Sequence, residues 1–260
     1  MKQAGYSIEH WPLIHIQAAS SSEGLDRAQA QWSQWRAVFF VSPQAVLYFF
    51  KQVHTNLELG QTRCWATGVG TRDALLRQGV RADLIDTPNL SAGIWDSEHL
   101  WQEVQTQVQP NDRVLIVRGG EIQSWPSGSP LAGGSLTNPQ TVPLNDTGVG
   151  REYMAEQLRL QGVQVSWAVA YLRGIPRWTS TQMDEAQQAL GDGSVWIMTS
   201  SQAVKNLEDL MGPSKGPWPL GRAIATHDRI ARALVRAGFG VVRESRPNIE
   251  SLLGSLESMQ

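Results

Sequence analysis

The chain has 260 residues, of which 41% are hydrophobic and 18% charged, with a formal net charge of −2 and a pI of about 6.2. This is the balance of a globular protein of one large or two small domains, and it excludes the strong basic excess of a general nucleic-acid binder. Cys64 is the only cysteine, so an internal disulfide is excluded; no apolar run approaches the ~20 residues of a membrane span, and Met1–Gly5 opens no signal-peptide core. The expectation is a cytoplasmic protein with no membrane or nucleic-acid partner.

In chain order, short apolar runs alternate with helical patterns. Ala37–Val41 reads as a buried strand followed by a helix opening at Pro43. Cys64–Ala66 reads as a strand, and the helix after it closes at Gly79. Val114–Val117 is a strand bounded by Gly119 and Gly120, and a helix is expected over about 151–160. Val195–Met198 and Ala223–Ala225 are two further strands, each before a helical stretch. Continuous apolar strands alternating with helices predict a parallel sheet covered on both faces.

The chain also repeats itself. Ser42-Pro43-Gln44-Ala45-Val46 matches Ser200-Ser201-Gln202-Ala203-Val204 at an offset of 158 (200 minus 42). Ala74–Gly79 matches Ala233–Gly238 at 159 (233 minus 74), and Gly5–Ile16 resembles Gly162–Arg173 at 157 (162 minus 5). Matches in constant order at near-constant offset predict two related α/β units. A strand and a helix precede Gly162, whereas only four residues precede Gly5. The first copy is therefore expected to lack its opening strand and helix, through truncation or a misplaced start rather than as a natural four-stranded variant. Residues 121–149, rich in Pro, Gly, Ser, Thr and Asn, are expected to form an inserted loop.

Several patterns exclude chemistry. Gly68-Val69-Gly70 is too short for a dinucleotide fingerprint, no lysine follows a Gly-rich turn as in a P-loop, and Gly133-Gly134-Ser135 makes no nucleophile elbow. His10, His15, His54 and His99 have no metal-ligand spacing with Asp or Glu. No cofactor and no metal are expected.

The ordered motifs resemble the uroporphyrinogen-III synthase family. They are Ser42-Pro43-Gln44-Ala45-Val46 at a strand end, Gly68-Val69-Gly70-Thr71 opening a helix, Arg118-Gly119 and Gly150-Arg151-Glu152. Ala170-Tyr171-Leu172-Arg173, Thr199–Val204 and Thr226-His227-Asp228-Arg229-Ile230-Ala231 follow. The resemblance covers nearly the whole chain except 121–149. Three features depart from the family pattern: the opening strand-turn is absent, the loop is long, and His227 and Arg229 occupy a turn that is shorter in many members.

The resemblance implies two flavodoxin-like α/β domains joined by two extended crossing segments, about Trp11–Ala18 and Val169–Pro176. One domain would comprise 1–16 with 171–260, the other 17–170. It implies ring closure of hydroxymethylbilane, a linear tetrapyrrole with eight carboxylates, with inversion of ring D through a spirocyclic intermediate. Positioning is then the main catalytic task. It also implies a monomer.

In such sheets ligands lie beyond the carboxyl ends of strands, where helix N-termini favour anions. The candidate substrate-binding residues are Ser42, Thr71, Arg118, Gly119, Ser200, Ser201, Thr226 and Arg229. Tyr171 is the candidate general acid toward the departing hydroxyl. Each has a plainer alternative: Ser42, Ser200 and Thr71 as helix caps, Arg118 as partner of a structural carboxylate, Tyr171 as packing, His227 as a structural turn residue. A non-catalytic module binding an anionic small molecule is the competing function, and a secreted bilobal sugar- or amino-acid-binding protein a third.

Overall fold

The computed structural model describes residues 5–19, 23–51, 59–89, 96–122, 141–142, 149–212 and 216–259. Two compact units divide the chain: the described residues of 1–15 and 174–260 form the first, and those of 16–125 and 137–173 the second.

The second unit is built on strands β1 (His15–Ala18), β2 (Ala37–Phe40), β3 (Arg63–Ala66), β4 (Ile85–Asp86), β5 (Arg113–Ile122), β6 (Thr141–Val142) and β7 (Gln164–Gly174). The sheet runs β1-β7-β5-β2-β3-β4, with β6 on β5. The pairs β7–β5, β5–β2, β2–β3 and β3–β4 are parallel. Counted from β5, the order β7-β5-β2-β3-β4 is second-first-third-fourth-fifth, the flavodoxin order in a circularly shifted chain.

Both faces of this sheet are apolar because β2, β3 and β5 are continuous hydrophobic runs. Val38, Phe40, Cys64, Ala66, Leu115 and Val117 pack one face under helices α1 (Glu23–Ala30), α2 (Pro43–Lys51) and α3 (Val69–Arg77). Ala37, Phe39, Trp65, Val114 and Ile116 pack the other under α4 (Ser97–Val104) and α5 (Val149–Leu160). Alternation along each strand assigns these two sets.

The first unit carries a parallel sheet of order β10-β9-β8, from β8 (Val195–Met198), β9 (Arg222–Ala225) and β10 (Val241–Glu244). Helices α6 (Ser180–Ala189), α7 (Ser201–Met211) and α8 (Asp228–Arg236) pack on one face with Trp196, Met198, Ala223 and Ala225. Helix α9 (Ile249–Glu257) and Tyr6 cover Ile224 on the other. This second face is thus covered, although the first copy was expected to lack its opening helix. Residues 5–12 form no strand.

The repeat is visible in register. Ala37 pairs with Arg63 and Phe40 with Ala66, while Val195 pairs with Arg222 and Met198 with Ala225. The repeated glycines share one backbone state: φ is +84° at Gly79 and +91° at Gly238, +82° at Gly5 and +75° at Gly162. This left-handed state, open to glycine, ends a helix by returning the next N–H to an earlier carbonyl: Val80 to Leu75, Phe239 to Leu234, Val163 to Leu158.

Two expectations are corrected. Gly119 and Gly120 do not end a strand, since β5 continues through them to Ile122. Residues 141–142 within the expected loop form β6, antiparallel to β5 at Glu121 and Ile122. The rest of that loop, 123–140 and 143–148, lies outside the described residues, as do residues 1–4.

Candidate active site

The second unit places Tyr171 by a slip in strand pairing. Up to Arg118 the β5–β7 register is regular, with Arg118 opposite Val169. The next pair is Gly119 with Tyr171, so Ala170 is an extra residue, a β-bulge. Alternation would send Ala170 and Tyr171 to opposite faces. Instead Ala168, Ala170 and Tyr171 all join the core under α2. The bulge turns Tyr171 toward the start of that helix.

Three neighbours hold the Tyr171 ring, which is 6% exposed. Gly119 lies under it: a Cβ there would sit 2.5 Å from Cζ and 2.9 Å from the phenol oxygen, so a side chain is excluded. Tyr48 of α2 stacks on it, with centroids 5.8 Å apart and planes at 29°. Ser42 Oγ lies 3.2 Å from the phenol oxygen. Ser42 also caps α2, accepting the Ala45 N–H at 3.2 Å, with Pro43 supplying the fixed φ of the first helical position.

Arg118 stands one residue before the bulge, on the opposite side of β5 from Gly119. Its guanidinium lies 4.7 Å from the Trp167 ring centroid, a cation–π contact. Gly120 is crowded by Leu172 and Val169, at 2.9 and 3.0 Å from a Cβ placed there. Arg173 and Glu121 approach to 3.5 Å at the end of the same strand pair. Thr71 is 3% exposed within α3, so it is neither a cap nor an open hydroxyl. Gly68 is the cap of that helix, without a side-chain bond.

In the first unit Ser200 is the cap of α7, its Oγ accepting the Gln202 N–H at 3.2 Å. Ser201 follows, with a buried Oγ that has no hydrogen-bond partner among the described residues. Thr226 extends β9: its N–H bonds the Met198 carbonyl at 3.2 Å. His227 caps α8 through Nδ1, which accepts the Arg229 N–H at 3.0 Å, so in that geometry Nδ1 is unprotonated. The Arg229 side chain is exposed.

Ser42, Gly119 and Tyr171 therefore meet on one face of the sheet just beyond the carboxyl end of β2, while Arg118 lies over Trp167 on the other face of β5. Ser200, Ser201, Thr226 and Arg229 gather at the carboxyl ends of β8 and β9, and Thr71 joins neither set. Tyr48 and Trp167 escaped the sequence reading. The signal for Tyr48 was faint: it opens the aromatic run Tyr48-Phe49-Phe50, which reads as core. Among the described residues no group of three His, Cys, Asp or Glu is placed to hold a metal. No described helix is long and apolar enough to cross a membrane. Cys64 lies in the core of β3, where burial pushes its thiol up to about 12.

These features define a two-unit α/β protein whose polar turns lie at the carboxyl ends of parallel strands. Comparison with known proteins gives the class a family. Residues 1–124 match the family model described as uroporphyrinogen-III synthase HemD. A solved mutant uroporphyrinogen III synthase from Thermus thermophilus is similar at 15% identity and a TM-score of 0.53, covering 99% of this chain and 91% of that one. The solved uroporphyrinogen-III synthetase from Helicobacter pylori is similar at 13% identity and a TM-score of 0.61, covering 95% and 91%. No curated protein matches the sequence. The family match thus spans just under half of the chain, and the two solved structures share its fold.

Proposed function

We propose that this protein is a uroporphyrinogen-III synthase, a lyase of tetrapyrrole biosynthesis that closes hydroxymethylbilane to uroporphyrinogen III with inversion of ring D. The match of residues 1–124 to the family model carries this reading. The reaction breaks the C–O bond of the terminal hydroxymethyl group, releases water and forms a carbon–carbon bond to ring D. An electrophilic azafulvene and a spirocyclic intermediate lie between. Closure without inversion competes, so the enzyme must hold the chain ends in one geometry.

The residues suit those tasks in different ways. Tyr171 is the proposed donor to the departing hydroxyl. Arg118 and Arg229 offer forked donors for carboxylates, and Ser200, Ser201 and Thr226 offer hydroxyls at strand ends. Gly119 contributes space for the Tyr171 ring, and Thr71 packing. Arg118→Ala tests the first of these assignments to a carboxylate: substrate binding should weaken about tenfold or more, the worth of a charged hydrogen bond, with little loss of stability. Unchanged binding with a large fall in Tm would make Arg118 structural. We propose that the enzyme acts as a cytoplasmic monomer. Supplied with hydroxymethylbilane, the protein should release the type III isomer in excess over type I; folded protein that yields only type I would refute the reading.

A further inference from the structure

The hydroxyl of Ser42 has two lone pairs and one hydrogen. One lone pair is committed to the Ala45 N–H at 3.2 Å, as the cap of α2. The remaining pair and the hydrogen face the Tyr171 phenol oxygen, also at 3.2 Å. If the phenol donated to Ser42, its only proton would be occupied. If Ser42 donates to the phenol, the phenol keeps its proton for another acceptor. The ring cannot evade this choice, because Gly119 lies beneath it and Tyr48 is stacked upon it.

We infer that Ser42 is a positioning residue acting through Tyr171, and not a ligand of a substrate carboxylate. This rests on the reading of Tyr171 as the acid toward the departing hydroxyl. Ser42 donates its O–H to the phenol oxygen, which turns the phenol hydrogen toward the substrate. As the C–O bond breaks, that hydrogen passes to the leaving oxygen and water departs. The phenolate left behind accepts the Ser42 O–H in a charge-assisted hydrogen bond, stronger than the neutral bond it replaces. The proton lost when the last pyrrole of the closed ring regains its aromaticity restores the phenol. An interaction that strengthens only as charge develops raises kcat and leaves KM nearly alone.

Tyr48 supports the same device by stacking on the Tyr171 ring, while its hydroxyl donates to the Ile16 carbonyl at 3.5 Å. Tyr48→Leu should therefore lose part of the rate with the circular dichroism of the fold retained.

The decisive experiment is a double-mutant cycle on hydroxymethylbilane turnover. Tyr171→Phe should lower kcat by roughly 10- to 1,000-fold, the usual range for acid–base assistance. Ser42→Ala should lower kcat by about tenfold, with KM changed less than about threefold. Ser42→Thr, which keeps the hydroxyl and the cap, should recover most of the rate. The double variant should be no slower than Tyr171→Phe alone, since Ser42 has nothing to act on once the phenol is gone. Losses that multiply in the double variant would overturn the inference, as would a Ser42→Ala effect confined to KM. A wild-type rate for Tyr171→Phe would overturn it too, while leaving the synthase reading to the isomer ratio of the wild-type product.

Discussion

The two units share a register but differ in how deeply they bury it. In the second unit all four residues of β2 are buried, and Phe39 is 1% exposed. In the first unit the equivalent strand β8 alternates, with Val195 and Ile197 only partly buried, and three of the four residues of β10 are exposed. The same sequence device, a continuous apolar strand, thus gives a central strand in one unit and a half-covered one in the other. Register and helix ends are local properties that a repeat preserves; burial depends on what else packs against the sheet. The second unit has α4 and α5 over its second face, the first has α9 and Tyr6.

Cavity variants at equivalent positions should separate the units most sharply. Phe39→Ala empties a fully enclosed site and should cost about 3–5 kcal/mol in denaturant unfolding, whereas Ile197→Ala at the matching position should cost about 2 kcal/mol or less. Equal losses would mean that Ile197 is as enclosed as Phe39.

The helix-stopping glycines come next. Gly79 has open space where a Cβ would go, so Gly79→Ala should cost about 1 kcal/mol for its positive φ alone. At Gly238 the same substitution also drives a Cβ into Pro217, and about 2–4 kcal/mol is expected. A smaller loss at Gly238 than at Gly79 would show that the Pro217 segment yields freely.

Ser42 and Ser200 are matched caps with different proposed duties. Ser42→Ala and Ser200→Ala should each lose about 1 kcal/mol of stability. Their kinetics should differ: kcat falls for Ser42→Ala, and KM rises for Ser200→Ala if that hydroxyl meets a carboxylate. The same kinetic signature in both would erase the distinction.

The smallest effect is a matter of rates. Cys64 and Ala223 occupy equivalent places in β3 and β9. With its thiol near 12, Cys64 has about one part in ten thousand as reactive thiolate at pH 8. Its labelling should wait on local opening. A cysteine placed by Ala223→Cys in a Cys64→Ala background should label faster, by about tenfold, if the less buried unit opens more readily.

Much of this architecture was legible in particular residues. Gly79 was read as a helix end and Gly238 as its repeat match, and both adopt the left-handed φ that favours glycine. The strands at Ala37, Val114 and Val195 were plain because runs of apolar residues fit a sheet covered on both faces. Arg118-Gly119-Gly120 misled, since a glycine pair imitates a strand end. Gly119 is there because the Tyr171 ring lies against it, a contact 52 residues away in sequence (171 minus 119). The bulge at Ala170 left no local mark either, because a slip of register exists only between strands. Thr71 resembled a cap and proved to be core, the cap having passed to Gly68.

The most direct test of the whole account is the isomer composition formed from hydroxymethylbilane by the wild-type protein and by Tyr171→Phe at equal concentration. The account predicts mainly type III from the wild type, and from the variant a product shifted toward type I as uncatalysed closure overtakes a slowed enzyme. Type I alone from folded wild-type protein would contradict the synthase assignment, and type III at undiminished rate from the variant would contradict the role given to the Tyr171 phenol.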